Sequence, residues 1–84
     1  MSRIQKVLLS VLSGLQDKNI SFSELTNLMN VLGFAVRIKG DHYIFTRSDI
    51  AEIINLQPDG SKAKPYQVKQ IRNLILKYKL GGTV

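Results

Sequence analysis

At Gly33-Phe34 the spacing of apolar residues changes from helical to alternating, so the chain must carry both helix and sheet. Before the switch, Leu25, Leu28, Met29 and Leu32 recur at the intervals of one helix face. After it, Phe34, Val36 and Ile38 point one way along a strand, while Ala35, Arg37 and Lys39 point the other. Gly33 stands where a left-handed C-terminal cap belongs, and Phe34 can fold back on the last turn. The start of the same helix is marked as well. Ser21 and Glu24 have capping-box spacing, with Ile20 and Leu25 placed as a hydrophobic staple.

Upstream, Ile4, Val7, Leu8, Val11, Leu12 and Leu15 form a helical stripe. Arg3, Gln5, Lys6, Ser10 and Ser13 occupy its other face, and Gly14 with the polar 16–19 run closes it. Downstream, Gly40-Asp41 marks a tight turn, and the strand formers from His42 to Arg47 complete a hairpin. Ser48-Asp49 interrupts the pattern. Glu52 to Gln57 reads as a third strand, although Ile50 to Ile54 also fits a helical turn. Pro58 to Ser61 is turn chemistry, and Lys62-Ala63-Lys64-Pro65 leads into a last helix, with proline tolerated at its first position. Val68, Ile71, Ile75 and Tyr78, flanked by Leu74, make its inner face; Lys69, Arg72, Lys77 and Lys79 decorate the rest. Gly81-Gly82 are expected to end it, with the last residues loosely held. The fold class is α+β: a three-stranded antiparallel sheet with one face packed against helices.

A chain of 84 residues has room for one core, which makes 1–84 a single domain. The absence of cysteine excludes disulfides, thiolate metal sites and cysteine nucleophiles. One histidine and six scattered carboxylates argue against a zinc centre. The apolar runs are too short for a bilayer span and no secretory leader is visible, so a soluble, cytoplasmic protein with no membrane partner is expected.

The net charge of +6 favours a polyanion or an acidic protein as partner. The cations are unevenly placed. Arg37 and Lys39 lie on the hairpin, Lys62 and Lys64 precede the last helix, and Lys69 sits on its first turn. These five are the candidate phosphate-binding residues, and the two clusters are expected to flank one sheet edge. Lys62 and Lys64 lead into a helix N-terminus, whose amides also attract anions. The competing reading is a solvated basic face.

His42 is the one side chain suited to move protons near neutral pH. Arg37, Lys39 and Arg47 could hold a phosphodiester beside it. RNA cleavage without a metal or other cofactor needs a base for the 2′-hydroxyl, an acid for the leaving oxygen and cations for the phosphorane. His42 would serve both proton steps, or share one with Tyr43, a lysine or water. Asp41 can orient the imidazole or simply favour the turn. No serine–histidine–acid pattern, glycine-rich phosphate loop or carboxylate pair competes with this reading.

The block 32–45, Leu-Gly-Phe-Ala-Val-Arg-Ile-Lys-Gly-Asp-His-Tyr-Ile-Phe, resembles the signature of HicA-type toxins, in which a helix ends in Gly-Phe and leads to Gly-Ser-His-His-Ile-Phe. Lys64-Pro-Tyr-Gln-Val-Lys-Gln-Ile-Arg72 resembles the last helix of that family. The likeness covers a core of about residues 20–80, with 1–19 as an N-terminal helical extension. It implies a double-stranded-RNA-binding-domain-like fold. It also implies an mRNA interferase, an endoribonuclease with His42 as catalyst, and a HicB-like antitoxin as partner. The chain departs from the pattern at Asp41, where the family has Ser, and at Tyr43, which replaces the second His. A carboxylate at Asp41 repels RNA phosphate, and would favour a protonated imidazole if it came within hydrogen-bond reach. A non-cleaving RNA-binding module and a protein-interaction domain with a basic face are the alternatives.

Overall fold

The computed structural model describes residues 2–83. In chain order these form α1 (Arg3–Ser13), α2 (Phe22–Val31), β1 (Ala35–Lys39), β2 (His42–Arg47), β3 (Ile50–Leu56) and α3 (Pro65–Tyr78), followed by a 3-10 turn over Leu80–Thr83. Ser2 caps α1 in a reciprocal box with Gln5, and Gly14 closes the helix at φ 73°. Leu15 therefore falls beyond the helix and is 83% exposed, not part of the buried stripe. Ser21 caps α2 by accepting from the Glu24 amide at 3.1 Å. The expected return bond of the capping box does not form, because the Glu24 carboxylate instead accepts from the Ser21 hydroxyl and from Arg3. At the other end, Phe34 N–H donates to Met29 O and Gly33 N–H to Asn30 O, the two bonds of a Schellman motif. Gly33 has φ 90°, the left-handed geometry its position requires.

The three strands form one antiparallel sheet in the order β1-β2-β3. Lys39 opposes His42 across the two-residue turn Gly40-Asp41. Positive φ at Gly40 alone makes this a type II′ turn, whose twist matches a hairpin. Arg47 opposes Ile50 after a register shift, so β3 starts before the expected Glu52 and no helical turn forms there. Opposed residues share a face. Phe45 and Ile54 lie on the covered face and are buried against the helices, and Tyr43 packs edge-on against Phe22 with ring centroids 4.9 Å apart. Leu56, opposite Tyr43, belongs to the same layer. Arg37, Lys39, His42, Ile44 and Asn55 lie on the other face, which no helix among the described residues covers.

Val36 and Ile38 correct the alternation argument. They point to the covered side, opposite Phe45 and Tyr43, yet are 40% and 60% exposed. The helical layer stops short of β1, and all five of its residues are exposed.

The helices close the core from below. Val11, Leu25, Leu28, Met29, Val68 and Ile71 are fully buried together, so α1 contributes to the same core as the rest of the chain. Arg72, expected on the solvent face of α3, is largely buried: its guanidinium donates to Val11 O at 3.0 Å and to both Asp17 carboxylate oxygens at 2.9 and 3.2 Å. One side chain thereby satisfies an orphan carbonyl near the end of α1 and ties α1 to α3. Buried Gln67 ties α3 to the sheet in the same way. Its amide donates to Gln57 O at 3.2 Å and accepts from Gln57 N at 2.9 Å in the orientation that satisfies both groups. Lys79, at φ 55°, ends α3 ahead of the glycines, and buried Leu80 anchors the final turn to the core. No helix among the described residues is long and apolar enough to cross a membrane.

Candidate active site on the open sheet face

His42 is the first residue of β2, delivered to the open face by the type II′ turn just before it. Its side chain is 48% exposed. Nδ1 lies 3.3 Å from Oδ1 of Asn55 on β3. With that oxygen as acceptor, the neutral imidazole carries its proton on Nδ1 and its lone pair on Nε2. Nε2 is 3.7 Å from Asp41 Oδ1, an electrostatic contact too long for a hydrogen bond. The other Asp41 oxygen accepts from Gln57 Nε2 at 2.8 Å. That bond chiefly, with a backbone hydrogen bond and then the charges of His42 and Lys64 adding to it against the cost of desolvation, holds the Asp41 carboxyl below its ordinary value. Asp41 is thus an ionised carboxylate beside the imidazole.

The five candidate cations belong to the basic residues that no carboxylate among the described residues neutralises, as Lys6, Lys18 and Lys79 also do. Four of the six acids engage cations elsewhere: Asp17 holds Arg72, Glu24 holds Arg3, Asp49 holds Arg47 and Glu52 holds Lys77. Among the described residues, Arg37, Lys39, Lys64 and Lys69 make no ion pair, and Lys62 makes only a 3.4 Å bond to the Asn19 side-chain oxygen. The uncompensated charge of the protein therefore includes the residues singled out for phosphate.

Not all of them reach His42. Lys39 is directly opposite it, and Arg37 follows one step along the same face. Lys62 and Lys64 come after β3, at the far edge from β1, so the two clusters share an end of the sheet and not an edge. That end is the one with the hairpin turn, since Leu56 opposes Tyr43, and Lys64 is near enough for its charge to act on Asp41. Lys62 is drawn toward the loop before α2, and no contact joins Lys69 on α3 to the histidine.

Two expected neighbours of the imidazole lie elsewhere. Arg47 is at the opposite end of β2 on the covered side, donating to Leu32 O at 2.9 Å and pairing with Asp49 at 2.9 Å. Tyr43 projects to the covered face against Phe22, which removes it as a proton partner for His42. In their place stand Asn55 and Gln57, which sequence reasoning passed over. The available signal was a polar amide at Asn55 between apolar Ile54 and Leu56, which puts its side chain on the face opposite theirs.

Beside this cluster lies a shallow, mainly apolar depression of about 280 Å³ lined by Ala35, Val36, Arg37, Ile44, Thr46 and Ile53. Imidazole, two free cations and an apolar floor can together hold a phosphate with an adjoining sugar or base. Set against protein-family models, curated proteins and solved structures, the chain matches none.

Proposed function

We propose that this protein is a HicA-like toxin: an endoribonuclease that cleaves mRNA without a metal, with His42 as general acid and base and a double-stranded-RNA-binding-domain-like fold. The observation that carries the reading is the exposed imidazole, oriented through Nδ1 by Asn55, on the same sheet face as the unpaired Lys39 and Arg37. Nε2 of His42 takes the proton of a 2′-hydroxyl as O2′ bonds to phosphorus. The P–O5′ bond breaks, and the imidazolium returns that proton to O5′, leaving a 2′,3′-cyclic phosphate and a 5′-hydroxyl. Lys39 and Arg37 stabilise the charge that builds on the phosphorane oxygens. Lys64 extends the positive field past the hairpin turn, and Lys62 and Lys69 bind flanking backbone. A HicB-like antitoxin neutralises the toxin in the cell.

The test is single-turnover cleavage of an mRNA fragment in EDTA by the wild type and His42→Ala. Loss of about a hundredfold or more in rate is expected, the scale of general acid–base catalysis. Equal cleavage by both removes His42 from catalysis. A second reading, an RNA-binding module without chemistry, draws on the Asp41 carboxylate 3.7 Å from Nε2, where it opposes an incoming phosphate. Salt-dependent RNA binding with no cleavage products decides for that reading.

A further inference from the structure

The edge of β1 is an unfinished surface. In a two-residue hairpin the closing pair Lys39–His42 exchanges both ladder bonds, and alternation along the pair leaves the N–H and C=O groups of Val36 and Ile38 facing away from β2. No backbone bond from either residue to another part of the chain occurs among the described residues. Their side chains are 40% and 60% exposed because the helical layer stops short of them. Above them, on the open side, stand Arg37 and Lys39 without ion-pair partners. The edge thus presents a backbone template, apolar groups on one side and cations on the other.

That combination selects its occupant. A second copy of the chain paired antiparallel along β1 would bring Arg37 and Lys39 against their own symmetry mates, and like charges directly opposed are unfavourable. Cations on an edge strand are also a recognised guard against self-pairing. We infer that β1 accepts an added strand from a different protein, an extended segment that alternates acidic and apolar residues. Its carboxylates meet Arg37 and Lys39 while its apolar side chains cover Val36 and Ile38. The inference does not rest on the nuclease reading: it is argued from the β1 edge, although an added strand would engage the same Arg37 and Lys39 that the open face offers to phosphate.

The probe is a short N-acetylated peptide of alternating glutamate and valine, titrated into the isotopically labelled full chain. The expected result is NMR shift changes and slowed hydrogen exchange centred on the Val36 and Ile38 amides, weakening as salt is raised. Ile38→Pro removes an outward-facing N–H without breaking the β1–β2 ladder, which edge strands tolerate. It should weaken binding by about tenfold, the worth of one lost hydrogen bond. Should that variant fold poorly, Arg37→Glu combined with Lys39→Glu should abolish binding of this peptide and admit its lysine–valine counterpart. Shifts centred away from β1, or equal binding of both peptides by the wild type, overturn the inference. So do concentration-dependent shifts at Val36 and Ile38 without peptide, which would assign the edge to a second copy.

Discussion

Asn55 holds His42 from the neighbouring strand, its Oδ1 3.3 Å from the imidazole Nδ1. The two residues are diagonal neighbours on the open face, because Asn55 opposes Ile44, two positions along β2. If this bond sets the ring orientation, Asn55→Ala should lower kcat of RNA cleavage by about tenfold, the rate equivalent of one net hydrogen bond. KM should stay nearly constant, since Asn55 makes no backbone contact to RNA in this scheme. Single-turnover and steady-state cleavage assays separate the two parameters. A rise in KM at unchanged kcat would instead place Asn55 in substrate binding.

Arg37 and Lys39 should each contribute one phosphate contact. Replacing either with alanine should weaken RNA binding and reduce the slope of log K against log salt by about 1. Arg47→Ala is the control: its guanidinium is committed to Leu32 O and Asp49, so the slope should not move. Fluorescence anisotropy at several salt concentrations measures all three.

Local rules carried most of the fold. The Gly33-Phe34 switch, the Ser21 cap and the Gly40-Asp41 turn each rest on near-neighbour geometry, and each lies where the residues point. What depended on distant packing was less visible. Val36 and Ile38 obey the period of 2, but only the extent of the helical layer decides that they stay exposed. Arg72 looked like a surface cation because its partner Asp17 is remote in sequence. The same limit applied to the site: His42, Arg37 and Lys39 are close in sequence, whereas Asn55 and Gln57 arrive through β3 pairing.

The Arg72–Asp17 pair should be a main support of α1. Both side chains are largely buried, and Asp17→Ala leaves the guanidinium with only Val11 O as an acceptor. A loss of about 2 kcal/mol is expected. For a domain of this size that corresponds to roughly 8–16 °C in Tm. Thermal unfolding followed by circular dichroism checks it. The double variant Arg72→Met, Asp17→Leu should recover part of the loss, since no buried charge then lacks a partner.

Glu52 makes part of the stability depend on pH. Its carboxyl accepts from Tyr78 OH and Lys77 Nζ, and these bonds, the tyrosine first, hold it below its ordinary value of 4.5. A carboxyl depressed in the folded state contributes stability that is complete above the unfolded value and lost as pH falls through the folded one. Lys77, raised chiefly by its bond to Glu52, contributes with the opposite sign: fully present below 10.5 and lost as pH climbs above it. Glu52→Gln should therefore be less stable than wild type from pH 5 to 9, and the two urea-unfolding curves should converge as the acid limb is descended. A constant gap down to low pH would show that the carboxylate charge is not what the contact uses.

On the proposed RNA-binding reading, Asp41 is the position where a single substitution should raise affinity. Its carboxylate is kept ionised chiefly by Gln57 and lies 3.7 Å from His42 Nε2, so it would repel a phosphate brought to that nitrogen. Asp41→Asn keeps the turn chemistry, since asparagine suits the same position, and removes one negative charge. RNA affinity should rise, with the gain largest at low ionic strength and shrinking as the Debye length falls. The depressed ionisation also fixes the pH behaviour. Because Asp41 stays charged until below its ordinary 3.8, mild acidification cannot relieve the repulsion in the wild type. The affinity advantage of Asp41→Asn should therefore still be present at pH 5, as measured by anisotropy on a non-cleavable 2′-deoxy strand. An advantage that vanishes at pH 5 would mean that another titrating group, and not the Asp41 charge, governs the entry of phosphate to the site.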